Sequence, residues 1–184
     1  MTRALLVSGL ALLAACRSEP PPPPGPAVAV FLDPRGLRVV DSTAATSELV
    51  AFGTKRDGVT GALSAAGVPL ADGDRNDECG AGPLAFASAG DGLTLSFADG
   101  AFVGWSADGR GGGRRFTTST GLGVGSPWVA LEGAYRADVS ETSLGTEFYT
   151  APPDVAGGLG GLLSGPGPDG TVTVLWAGTV CTFR

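Results

Sequence analysis

Gly92-Leu93-Thr94-Leu95-Ser96-Phe97-Ala98-Asp99-Gly100-Ala101-Phe102-Val103-Gly104-Trp105 decides how the rest of the chain is read. Leu93, Leu95 and Phe97 alternate with Thr94 and Ser96, the period of a strand with one buried face. Asp99-Gly100 is a strong hairpin signal, and Phe102 opens the return strand. An antiparallel meander is therefore expected here.

Upstream lies Phe52-Gly53-Thr54-Lys55-Arg56-Asp57-Gly58-Val59-Thr60-Gly61-Ala62-Leu63. Thr54 is an N-cap candidate with Asp57 three residues on, Val59, Leu63 and Ala66 share one helical face, and Gly67 can end the helix. A second such segment runs through Ser126-Pro127-Trp128-Val129-Ala130-Leu131-Glu132-Gly133-Ala134-Tyr135. There Ser126 is the cap candidate and Pro127 suits the first helical position. Leu131 and Tyr135 fall 72 residues after Val59 and Leu63. Downstream, Asp169-Gly170-Thr171-Val172-Thr173-Val174-Leu175-Trp176 repeats an Asp-Gly turn, and Trp176 falls near the position of Trp105. At the other end, Val28–Leu32 and Leu37–Val40 flank the turn Asp33-Pro34-Arg35-Gly36, which reads as a hairpin.

The expected fold is α+β, with two tandem helix-plus-antiparallel-sheet repeats over 47–110 and 111–184 and an N-terminal β-hairpin over 27–46. The halves resemble the helix-then-sheet repeat of the secreted β-lactamase-inhibitor proteins and of small lipoproteins that help assemble outer-membrane barrels. Glu78-Cys79-Gly80-Ala81-Gly82-Pro83, Thr142-Ser143-Leu144-Gly145-Thr146-Glu147-Phe148 and Leu175-Trp176-Ala177-Gly178-Thr179-Val180-Cys181 resemble more closely a group of short uncharacterised lipoproteins of the Rhodobacter type. Some of that group carry an aspartate-semialdehyde dehydrogenase name. The absence of histidine and of a cofactor domain, in so short a chain, argues against that chemistry.

The N-terminus sets the expected location. Arg3 precedes an apolar run from Ala4 to Ala15, too short to span a bilayer and of signal-peptide length. It ends in Leu13-Ala14-Ala15-Cys16, which resembles a bacterial lipobox, with residues 1–15 removed and Cys16 lipidated. A plain secreted protein cut after Ala15 is the alternative. Two or three acyl chains would anchor the protein stably. Arg17 after the cysteine favours the periplasmic face of the outer membrane, with the inner membrane as the alternative. Pro20–Pro24, Gly25 and Pro26 make 16–26 a Pro-rich tether, where ten polyproline residues would reach about 30 Å.

Composition narrows the function classes. The 12 Lys+Arg stand against 18 Asp+Glu, with a single lysine, so there is no basic footprint for nucleic acid. Setting Cys16 aside, Cys79 and Cys181 remain as an even pair in an oxidising compartment, and a disulfide between them is expected. It would close a loop of about 100 residues, worth about 4 kcal/mol in the chain-entropy model. A catalytic or metal-binding cysteine is the alternative, but without histidine there is no Cys-His nucleophile and no mixed Cys/His zinc site.

Other patterns are weaker. Gly121-Leu122-Gly123-Val124-Gly125-Ser126 before a helix suggests a phosphate loop but lacks both the preceding apolar strand and a following lysine. Asp72-Gly73-Asp74-Arg75-Asn76-Asp77-Glu78 starts like a calcium loop, but Asp77 stands where the turn glycine belongs and Pro83 where the bidentate glutamate belongs. It reads as a solvated acidic loop. Trp128, two residues past the helix cap, is the candidate exposed anchor for a partner. No catalytic residue, metal or cofactor is expected. The reading is a lipid-anchored envelope protein that recognises another envelope protein, the alternatives being a small-ligand or glycan binder and, third, an enzyme.

Overall fold

The computed structural model describes residues 27–110, 116–151 and 157–181. The signal peptide, Cys16 and the tether lie outside the described residues.

The chain begins with three antiparallel strands, β1 (Val28–Asp33), β2 (Gly36–Asp41) and β3 (Thr46–Ala51), in the order β1-β2-β3. The expected hairpin over 27–46 therefore gains a third strand, because Val50 supplies a buried side chain opposite Leu37. Helix α1 (Arg56–Ala65) follows, then a meander of β4 (Ala71–Asn76), β5 (Leu84–Ser88), β6 (Leu93–Ala98) and β7 (Ala101–Asp108). Helix α2 (Trp128–Ala134) precedes a second meander of β8 (Asp138–Thr142), β9 (Gly145–Tyr149), β10 (Gly160–Leu163) and β11 (Val172–Gly178). The two meanders join in one eight-stranded sheet, β4-β5-β6-β7-β11-β10-β9-β8, with antiparallel β7–β11 pairing at its middle. The class is α+β.

Both helices are clasped to the sheet in the same way. Before α1, the Gly53 amide donates to Phe102, the Phe102 amide to Thr54 and the Arg56 amide to Gly100. Before α2, the Gly125 amide donates to Val172, the Val172 amide to Ser126 and the Trp128 amide to Gly170. Thr54 and Ser126 thus act through their backbones. The expected side-chain caps do not form, since Lys55 and Pro127 occupy the cap positions without a side-chain bond. The Ser126 hydroxyl instead accepts from the Gly123 amide. At the far end of α1, the Gly67 amide donates to Ser64 and the Val68 amide to Leu63, with Gly67 at φ 72°. This is the glycine-terminated stop expected from the sequence, with Val68 and Leu63 both buried in the core.

Asp99-Gly100 forms the tight hairpin, both residues at positive φ. Asp169-Gly170 does not. It lies in the longer connection between Leu163 and Val172, where Gly167 takes the positive φ. The clasp makes Gly170 the counterpart of Gly100, which places Leu175, not Trp176, at the position of Trp105. Asp72–Asn76 is also no acidic loop. It pairs with β5 as the outermost strand β4, its Asp72 bridged to Arg56. Charged side chains on such an edge discourage further strand pairing.

One face of the large sheet carries the core. Leu93, Leu95, Trp105, Ala107, Leu175, Ala177 and Phe148 are buried there with Val59, Leu63 and Leu131 from the helices and Leu32 and Leu37 from the small sheet. The fully buried Trp105 indole donates to the Asp33 carbonyl at 3.0 Å and so ties the two sheets together. The Asp33 carboxylate accepts from the Arg35 amide and the Arg38 guanidinium. Burial pushes the Asp33 carboxyl up, but these donors outweigh it and hold it below the usual carboxylate range.

Trp105→Phe keeps most of the packing but leaves the Asp33 carbonyl without its indole donor, so urea unfolding should show a loss of about 1–3 kcal/mol. Because the Asp33 pKa is depressed on folding, its contribution is present above about pH 4 and is lost as pH falls through the folded value. Asp33→Asn should cost about 1–2 kcal/mol at neutral pH. It should also flatten the acid limb of stability against pH, followed by circular dichroism.

Candidate functional site: the outer face of the sheet

Strand parity sends every second residue of the large sheet away from the core. The registers align Ser88, Thr94, Ser106, Trp176, Gly160, Tyr149 and Asp138 in one row across β5 to β8. Beside it runs a second row, Asp108, Val174, Leu162, Glu147 and Ser140. Trp105 pairs with Ala177 and Trp176 with Ser106, so the two tryptophans lie on opposite faces.

Gly160 and Gly161 make the aromatic part of this surface. A Cβ on Gly160 would overlap the Trp176 indole, and one on Gly161 would overlap the Phe148 ring on the core side. Trp176 therefore lies over Gly160 and meets Tyr149 edge-on, with ring centroids 6.1 Å apart. The Tyr149 hydroxyl donates to Glu147 Oε1 at 2.5 Å, which serves the buried carboxyl group from its own face. Val174 and Leu162 are half-buried beside them. Small hydroxyls at one end and aromatic and aliphatic groups at the other give the face an amphipathic gradient.

At the hydroxyl end the row enters a hollow of about 410 Å³ lined by Ser88, Gly90, Asp91, Gly92, Thr94, Asp108 and Arg110. Asp108 accepts from the Arg110 guanidinium and amide. Burial raises the Asp108 carboxyl, but the Arg110 donors and charge prevail and leave it below the usual range. The same pairing raises the Arg110 pKa. A Cβ on Gly92, at φ 79°, would overlap the Asp108 carbonyl, so the glycine lets the turn close on the end of β7.

The other end of the face is covered by the chain itself. After β11, the Thr179 amide donates to Val103, and a Cβ on Gly104 would overlap the Thr179 carbonyl. Gly104 points outward beside Ser96 and Phe86, so the segment 179–181 crosses the outer side of the sheet there. It reaches the edge strand, where Asn76 Nδ2 donates to Cys181 Sγ at 3.7 Å. Ser96 and Leu84, both facing outward, are buried to 2% and 1% exposure.

Cys79 and Cys181, 102 positions apart in sequence, meet at this crossing. Both are free thiols in the structure rather than a disulfide, with a hydrogen bond between them. Burial first, then the bond and charge of Cys79, push the Cys181 thiol up to about 11. Trp128, by contrast, is no exposed anchor. It is half-buried against the core, and its neighbour Val129 is the large hydrophobic that α2 exposes, at 68%. The turn at Gly121–Gly125 is a connector whose Gly123 packs on the Phe116 carbonyl. Among the described residues no group of three or more His, Cys, Asp or Glu side chains could hold a metal ion, and no helix is long and apolar enough to cross a membrane. The outer face was hidden from sequence reading because it needs the registers of six strand pairs. The one available signal was Gly160-Gly161 within an aromatic-rich meander.

Gly104→Ala should push the 179–181 segment off β7 and cost about 1–3 kcal/mol in unfolding free energy. Its diagnostic is faster hydrogen exchange at Thr179 with little change in the Trp105 region. With Cys181 pushed up to about 11, its alkylation by iodoacetamide in the reduced protein should rise about tenfold per pH unit from 8 to near 11, followed by peptide mass spectrometry.

No family model and no curated protein matches the chain. The crystal structure of the uncharacterized protein yfeY from Escherichia coli is similar at a TM-score of 0.44 and 12% identity, covering 70% of this chain and 92% of that one. A likeness this loose assigns no function.

Proposed function

We propose that the protein is a lipid-anchored component of the bacterial cell envelope, held at Cys16 to the periplasmic face of the outer membrane, and that it works by recognising another protein. The observation that carries the recognition reading is the outer row Ser88–Thr94–Ser106–Trp176–Gly160–Tyr149–Asp138. Thr94, Ser106 and Tyr149 are half-buried there and Ser88 and Asp138 exposed at its ends, while Trp176 packs down to 7% exposure beneath them. Adaptable hydrogen bonds on a sheet braced by the core are what protein-recognition surfaces use. The tether would hold this surface clear of the lipid.

We read the two halves as a tandem duplication. The identical clasps before α1 and α2 support this, as does the β7–β11 join, where Ser106 and Trp176 pair at equivalent positions of the two halves. The resemblance to inhibitor-like and assembly lipoproteins belongs to the same reading. A second reading, a polar small ligand or glycan, is favoured by the hollow at Ser88, Asp108 and Arg110.

Fatty-acid labelling in cells should mark the wild-type chain and fail with Cys16→Ser; unlabelled wild type would overturn the anchor. Crosslinking in intact cells should capture a reproducible protein, and Ser106→Arg on the outer face should lower its yield at least fivefold. Trp128→Ala should leave that yield nearly unchanged. Loss with Trp128→Ala alone would move the surface to α2. Glycan binding abolished by Arg110→Ala, with no protein captured, would establish the second reading instead.

A further inference from the structure

The C-terminal crossing is fixed at three points. At Gly178, φ 69°, the left-handed backbone turns the chain out of β11. On β7, the Thr179 amide is bonded to Val103, and the segment packs on bare Gly104. At the sheet edge, Asn76 holds Cys181, while the Gly82 amide bonded to the Cys79 carbonyl and the Glu78 amide bonded to Asn76 Oδ1 shape the loop that presents Cys79. The first two attachments are main-chain. The third is two thiols in contact, one buried at 5% exposure and one half-buried.

We infer that Cys79 and Cys181 form a redox latch, which on oxidation locks the segment 179–181 across the outer face onto edge strand β4. The latch rests on the export reading above, because a reducing compartment would keep it open. The oxidant is a disulfide-bearing thiol oxidoreductant. Cys181, the more accessible thiol, loses its proton and attacks one sulfur of that disulfide, forming a mixed disulfide and releasing the other sulfur as a thiolate. Cys79 then loses its proton and attacks the Cys181 sulfur, forming the internal bond and releasing the second thiolate. Two electrons and two protons pass to the oxidant, which leaves as a dithiol. With Cys181 held neutral at ordinary pH, the first attack is slow unless it is catalysed.

The consequence falls on the outer face. A closed latch keeps Ser96 and Leu84 covered and leaves the half-buried Thr94 and Ser106 as the accessible part of the row beside Trp176, which is itself only 7% exposed. With the thiols free the segment still lies over Ser96 and Leu84, but it is held only by non-covalent contacts: the Thr179 bond, the packing on Gly104 and the Asn76–Cys181 bond. Transient opening of those contacts, which the disulfide would suppress, exposes the outer side of β4 to β6 and enlarges the surface available to a partner.

The test uses the full chain in detergent with Cys16→Ser, so that only two thiols remain. It is equilibrated in glutathione buffers from fully reduced to fully oxidised, quenched and mapped without reductant. The expected result is a Cys79–Cys181-linked peptide in oxidised buffer, with amide exchange of residues 84–88 and 179–181 at least tenfold slower than in the reduced protein. Adding Cys79→Ser or Cys181→Ser should abolish that difference. Two alkylatable cysteines in oxidised buffer, or glutathione adducts alone, would overturn the latch. So would a linked peptide without slower exchange. The buffer supplies the oxidant, so this outcome is independent of where the cell keeps the protein, which the fatty-acid labelling decides separately.

Discussion

Everything in the large sheet takes its facing from the antiparallel pairing of β7 with β11. Five consecutive pairs, from Val174 opposite Asp108 to Gly178 opposite Gly104, fix which side chains of both meanders turn inward. A slip of one residue would put Trp105 and Trp176 on the same face and turn the buried side chains of one half outward, because side chains alternate with period two. The same seam brings the two helix-bearing halves together, so their buried faces form one core and not two small ones. A half of some 60–70 residues would bury too little apolar surface to be robust alone.

Glycine is the device that adapts this sheet to its aromatics and its crossings. Gly160 and Gly161 are neighbours in β10, facing opposite sides, and each leaves the space that a ring occupies: Trp176 outside, Phe148 inside. Gly104 does the same for a piece of backbone. A β-carbon at any of the three would collide with an aromatic ring or with main chain that has nowhere cheap to go. Glycine weakens a strand in isolation. Here the loss is offset by burial of large rings and by attachment of the C-terminal segment.

The outer face gains its character from the same geometry. Its hydroxyl row, its aromatic patch and its charged hollow come from strands spread over most of the chain. No local stretch resembles a binding motif. Trp128 shows the converse. Its place at the start of a helix suggested exposure, but the main-chain bond from its amide to Gly170 draws that end of α2 onto the sheet, and the indole packs on the core. Local position could not anticipate that bond, because Gly170 lies 42 residues further along.

Local structure was legible from the residues alone. Alternation at Leu93, Leu95 and Phe97 gave β6, Asp99-Gly100 gave the tight turn, the spacing of Val59 and Leu63 gave α1, and Gly67 gave its stop. These succeed because side-chain periodicity and positive-φ turns act over a few residues. Local reading failed at Thr46–Ala51, whose strand exists through pairing with β2, and at Asp72–Asn76, whose acidic composition hides an edge strand paired with β5. Asp169-Gly170 carried a turn signal, but the chain around it answers to the clasp with α2. Cysteine arithmetic paired Cys79 with Cys181, but their meeting on the outer face as thiols follows from a backbone crossing over Gly104. Register, facing and crossing are long-range quantities. They are set by which strands meet, and that is decided only when the whole sheet closes around its core.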